Sequence, residues 1–218
     1  MATTKQRTNR TTARASSPHK SAKRSGGKKK SGGVAEGIAD AVKAVGRYLS
    51  GEIDVEFDSL RDLFLMELHD LYSAEHQLVK ALPKMADAAN SKELKKAFRD
   101  HLAETRGQIE RLDQVYLELG ERPERKMCKA MEGLIKEGDE WMREHATPGV
   151  MDAGLIASAQ RVEHYEIAGY GCVRTYAQLL GHRSVTALLQ STLDEEGTAD
   201  KKLTQLSKRI NVRAQKAR

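Results

Sequence analysis

Four stretches of this chain carry apolar residues at alternating spacings of three and four, and each series is broken near its middle by polar side chains. Such spacing puts every member on one face of an α-helix, the stripe that a helix turns toward a bundle core. The first series is Phe64, Leu68, Leu71, Glu75, Leu78, Leu82, Met85. The second is Leu94, Phe98, His101, Thr105, Gln108, Leu112, Val115, Leu119. The third is Leu155, Ala159, Val162, Glu166, Gly169, Val173, Tyr176, Leu180, and the fourth Val185, Leu189, Thr192, Glu196, Ala199, Leu203, Leu206, Ile210.

Boundary signals turn the stripes into helices. The first is expected from about Asp58, read as its N-cap, to about Ala89, with a kink at Pro83. The second follows the capping residue Ser91 and stops at Gly120. A more polar connecting helix spans about Pro123 to His145, closed by Thr147, Pro148 and Gly149. The third long helix covers about Val150 to Leu180, and the fourth about Ser184 to Arg209. Short turns within each helix pair and a long link between the pairs predict an all-α, ferritin-like four-helix bundle with a crossover helix between the second and third long helices.

The interruptions then carry a chemical consequence. An ionised carboxylate in a dry interior costs several kcal/mol unless it is paired. The first, third and fourth stripes each hold a Glu, the second holds His101 and Gln108, and no stripe holds a Lys or Arg. Glu104 shares a helix face with His101, Glu163 with Glu166, and Asp200 with Glu196. Oxygen and imidazole donors gathered on a bundle axis are what a di- or trivalent cation requires. Glu75 and Glu104 are 29 residues apart, Glu166 and Glu196 are 30, so two hairpins could set equivalent carboxylates at one level. Tyr72 and Tyr170 stand one turn from Glu75 and Glu166, placed to hydrogen-bond ligands. His69, His76 and His164 fall off the stripes and read as surface residues, and Cys172 as structural.

Charge divides the chain differently. Residues 1–33 hold ten Lys/Arg and no acid, which leaves 27 basic against 31 acidic residues elsewhere, a net −4. A segment so poor in apolar residues cannot repay the entropy of folding, and a disordered basic tail is expected. Its cations would attract nucleic-acid phosphates without reading bases; the Arg/Ser-rich, acid-free composition also fits a transit peptide, though without amphipathic periodicity, and a solubilising tail without a fixed partner is the third reading. Residues 34–56 read as a short amphipathic helix and linker built on Ile38, Val42, Val45 and Leu49; 57–210 as the bundle; 211–218 as a basic C-terminal tail. No apolar run has the length of a membrane span, and no apolar segment of a secretory signal follows the basic stretch, so a cytoplasmic protein without membrane contact is expected.

The segments LRDLFLMELHDLYSAEHQLVKALPKMADAA, AFRDHLAETRGQIERLDQVYLELG, AMEGLI, RVEHYEIAGYG and LLQSTLDEEGTADKKL resemble the YciE/YciF-like branch of the ferritin-like superfamily. That resemblance spans about Phe57 to Ile210 and implies a rubrerythrin-like bundle, often a homodimer, among bacterial stress-response proteins. It carries the ligand expectation to Glu75, Glu104, Glu166 and Glu196, with Glu163, Gln108 and Asp200 as weaker candidates; His101 stands as an alternative imidazole. The Glu-x-x-His pairs of better-known members are missing, since the second helix reads Glu104-x-x-x-Gln108 and the fourth Glu196-x-x-x-Asp200. The expected cofactor is two metal ions, iron or manganese, serving peroxide reduction or oxidation of Fe²⁺. The alternative is a non-catalytic dimeric bundle acting as a structural or DNA-associated stress protein.

Overall fold

The computed structural model describes residues 58–124 and 126–216. The expected basic tail at 1–33 and the short helix and linker at 34–56 lie outside them. Five helices occur among the described residues: α1 (Leu60–Ala88), α2 (Lys92–Leu119), α3 (Lys129–Trp141), α4 (Pro148–Leu179) and α5 (Arg183–Lys216). Ser59, one residue after the expected cap, closes the start of α1 by accepting from the Asp62 amide. Ser91 does the same for α2 through the Leu94 amide. α2 ends at Gly120, whose φ of 68° is open to glycine at little cost.

α1 runs through Pro83 and ends at Ala88, within a residue of the expected Ala89. Three other boundaries differ from expectation. The connecting helix begins only at Lys129, because side chains of α1 satisfy the backbone of the segment before it: the Glu124 amide donates to His69 Nδ1 (3.0 Å), the Cys128 amide to Ser73 Oγ (2.9 Å), and Gln77 donates to the Cys128 carbonyl (3.1 Å). Pro148 opens α4 rather than closing its predecessor, as a residue lacking an N–H fits the first turn. α5 continues through most of the expected C-terminal tail, to Lys216.

α1 packs on α2 and α4, and α5 on α4 and α2, so the helices stand around a square in the order α1, α2, α5, α4. The link from α2 to α4 crosses the diagonal, and α3 within it covers α4 and α1. The apolar core is split in two. One cluster gathers Phe64, Leu68, Leu112, Tyr170 and Leu189; the other Leu78, Leu94, Met131, Leu155 and Leu203. Full burial of each such side chain stabilises the fold by about 1.5–3 kcal/mol. Between the clusters lies one polar level.

Candidate metal centre

Each long helix supplies that level with side chains from mid-stripe. Glu75 of α1, His101, Thr105 and Gln108 of α2, Glu163 and Glu166 of α4, and Thr192 and Glu196 of α5 are all buried. One donor atom from each of His101, Glu163, Glu166 and Glu196 lies within 4.8 Å of the others. His101 Nε2 is 3.3 Å from Glu163 Oε1 and 4.0 Å from Glu196 Oε2. Gln108 donates to Glu196 Oε1, and the Tyr170 hydroxyl donates to Glu75 Oε1 at 2.5 Å.

Hydrogen bonds leave this level incomplete. Among the described residues, the buried side-chain atoms without a hydrogen-bond partner are Glu75 Oε2, His101 Nε2, Gln108 Oε1, Glu163 Oε2, both Glu166 oxygens and Glu196 Oε2. Every one belongs to this cluster, although interiors normally pair nearly all such atoms. The orphaned set is oxygen plus one imidazole nitrogen, the donor chemistry of a divalent iron or manganese site. The residues therefore fit a metal.

Electrostatics describe the same vacancy of charge. Burial raises the carboxyls of Glu163, Glu166 and Glu196 above the usual range. Burial, then Glu196, pushes Glu75 up to about 8, against the opposing Tyr170 hydroxyl and His101. For His101, burial pulls the imidazole down, but Glu163, Glu104 and Glu196 outweigh it and hold it at about 9.

The structure does not bring every expected ligand into the cluster. Glu104 lies outside it, with 47% of its side chain exposed, and its Oε2 meets His101 Nδ1 at 3.3 Å. The two residues share a helical face, but the rotation of α2 turns the imidazole inward and the carboxylate to the rim. Asp200 also lies outside, accepting from Gln160 (3.1 Å) and facing the exposed His164 (3.3 Å). Glu163 and His101 stand inside. Tyr170 serves Glu75 across the bundle, whereas Tyr72 donates to Asp113 (2.9 Å).

Other expectations need correction. His69 is half-buried and bonds Tyr116 (2.9 Å) as well as Glu124, while Cys172 is exposed and Cys128 is the buried thiol. Arg111 went unrecognised: it holds Glu195 at 2.7 and 2.9 Å and Thr192 at 2.6 Å, closing the cluster's edge with a cation. Its position one turn beyond Gln108, opposite an acid adjoining Glu196, was the available signal.

Comparison with known proteins agrees with this architecture. Residues 59–216 match the family model described as a domain of unknown function, DUF892. The chain is 48% identical over 159 residues to Protein YciF of Escherichia coli K12, covering 72% of this chain and 96% of that protein. The crystal structure of that stress protein superposes with a TM-score of 0.69 at 47% identity, covering 71% of this chain and 98% of the other. YcfI from Rhodopseudomonas palustris gives 0.68 at 45% identity, covering 70% and 97%. A Xanthomonas campestris protein, 19% identical with a TM-score of 0.57 over 71% and 94%, shares the fold. This chain belongs to the DUF892 family and is similar to the YciF proteins within it.

Proposed function

We propose that the bundle is a stress-associated carboxylate protein that holds a pair of iron or manganese ions at its central polar level. The observation carrying this reading is the convergence, among the described residues, of the unpaired buried side-chain polar atoms on six residues of four helices. Four carboxylates in that level bring four negative charges, which two divalent ions balance. Protonation of the carboxyls is the alternative route to neutrality, and the metal-uptake experiment below separates the two.

His101 is arranged for the role. With Nδ1–H donating to Glu104, the Nε2 lone pair points at the cluster, the carboxylate–histidine arrangement that orients metal ligands. Glu163, Glu166 and Glu196 would hold the metal together with His101, and Glu75, whose charge acts on Glu166, would add a further carboxylate. When bound, iron or manganese supplies reversible one-electron chemistry, suited to peroxide reduction or Fe²⁺ oxidation. The chain's own residues exclude water by the two apolar clusters, keep a proton on Tyr170 beside Glu75, and seal the rim with the Arg111–Glu195 pair.

Anaerobic reconstitution followed by elemental analysis tests the reading. About two ions per chain are expected, falling to one or none in Glu166→Ala. A wild-type chain that retains no iron or manganese, and whose melting temperature ignores both, refutes it and leaves a non-catalytic bundle. Residues 1–33 are assigned a separate role, electrostatic contact with nucleic acid, on the strength of ten cations without one acid. Homodimerisation is proposed from the family resemblance.

A further inference from the structure

Glu104 has no place in the buried cluster, yet it is tied to it. Its half-exposed carboxylate meets His101 Nδ1, while the opposite nitrogen of the same ring faces Glu163 and Glu196. One imidazole therefore spans the wall between solvent and the polar level.

A cavity of about 20 Å³ lies along this line between α2 and α5, bounded by Ala97, Phe98, His101, Glu104, Glu163 and Lys202 among others. A water-sized species needs roughly 10–15 Å³. The space thus admits one small ion or water and nothing larger. Two of the residues that bound it, His101 and Glu163, each carry an unpaired buried atom, Nε2 and Oε2. Wider grooves, of about 580 Å³ beside Tyr72 and Lys126 and about 390 Å³ beside Trp141 and Arg161, are lined by none of the cluster residues.

We infer that this α2–α5 seam is the port through which a divalent cation enters the bundle, with Glu104 as its outer station and His101 as the side chain that passes the ion inward. The inference rests on the metal reading above and adds the route. Small side chains at Ala97 and Ala199 keep the seam open at this point. Lys202 flanks the mouth and is drawn aside by Asp100 at 3.1 Å, leaving Glu104 as the acid nearest the opening. An ion held there exchanges part of its water shell for carboxylate before meeting the imidazole, so the route needs a ring rotation but no opening of the helices.

Stopped-flow uptake of aqueous Co²⁺ by the full-length metal-free chain, read by absorbance and by final cobalt content, tests the port. Glu104→Gln should slow uptake about tenfold, the scale on which one charge at a focusing cleft changes association. At saturating Co²⁺ its final content should reach that of the wild type, because the amide oxygen of the variant still accepts from His101 Nδ1–H and only the charge is lost. Lys202→Gln should speed uptake at low salt. Unchanged rates in Glu104→Gln at full stoichiometry overturn the port, and a stoichiometry that stays reduced at saturating Co²⁺ overturns it by giving Glu104 a part in holding the ion rather than in its entry. A wild-type chain that takes up no cobalt defeats the metal reading itself, an outcome distinct from either.

Discussion

His101 Nε2 stands 3.3 Å from Glu163 Oε1, and both side chains are buried. It is the closest His–Glu contact inside a level that holds four carboxyls, with Glu196 Oε2 4.0 Å from the same nitrogen, and burial favours the protonated forms of those carboxyls in the metal-free bundle. Its behaviour without metal follows from that crowding.

Replacing Glu166 by an apolar side chain of similar size should stabilise the metal-free form. Both Glu166 oxygens lack partners, burial and the neighbouring carboxyls disfavour its ionised form, and a buried unsatisfied polar group costs about 1–3 kcal/mol that packed hydrocarbon does not. Glu166→Met is therefore expected to melt higher than wild type in EDTA, and to lose the rise that iron or manganese gives. Calorimetry with and without metal measures both. A lower melting temperature in EDTA would show that Glu166 is satisfied in solution.

Stability of the metal-free form should fall as pH rises. Glu75 is held near 8 in the fold against 4.5 as its ordinary value, chiefly by burial, so the folded state binds the extra proton between these limits. His101, held near 9 against 6.5, adds stability that is complete below 6.5 and lost through 9. Both act with one sign: the folded state retains more protons than the unfolded chain, and stability declines from about pH 5 to about pH 9. Bound metal should reverse the trend at the acid end, where protons compete for the ligands. A flat melting profile over this range in EDTA would contradict the burial of these groups.

Asp152 should be a stability determinant without influence on metal content. Its carboxylate accepts from the Asn90 amide (2.6 Å) and the Ser91 amide (2.8 Å), pinning the α1–α2 turn to the start of α4. Asp152→Ala strips both amides of their acceptor, at a cost of about 2–4 kcal/mol. Chemical denaturation reads the loss, and elemental analysis of the folded variant should match the wild type.

Gly154 is expected to admit no side chain. A Cβ there would lie 1.9 Å from the Trp141 ring, which donates to the Met151 carbonyl at 3.3 Å and fastens the end of α3 to α4. Gly154→Ala should displace the ring, cost about 1–3 kcal/mol and shift the emission of the chain's one tryptophan toward the red. An unshifted spectrum would place Trp141 elsewhere.

Nucleic-acid binding, if carried by residues 1–33, should be sequence-independent and collapse with salt. Gel shifts at rising ionic strength should give a steep negative log–log slope, and deletion of 1–33 should remove most of the affinity. Equal binding by the shortened chain would exclude the basic stretch as the contact.

The helices and the level of the polar band are written in the local pattern, because three-and-four spacing and capping residues act within a few turns. On α5 the expected stripe, Val185 through Ile210, is buried residue for residue. α4 was less legible. It carries apolar side chains on more than one face, and the buried positions prove to be Tyr170 and Ala177 where Gly169 and Tyr176 were expected. Which of His101 and Glu104 turns inward could not be read locally either: residues three apart lie about 60° from each other around a helix, and either fits a broad stripe. Packing of α2 against α1 and α5 fixes that rotation. The Arg111–Glu195 pair, the Tyr170–Glu75 bond and the hold of α1 on Glu124 and Cys128 join positions remote in sequence, so they exist only once the helices have met. Sequence set what the polar level is made of; tertiary contact chose which atoms share it.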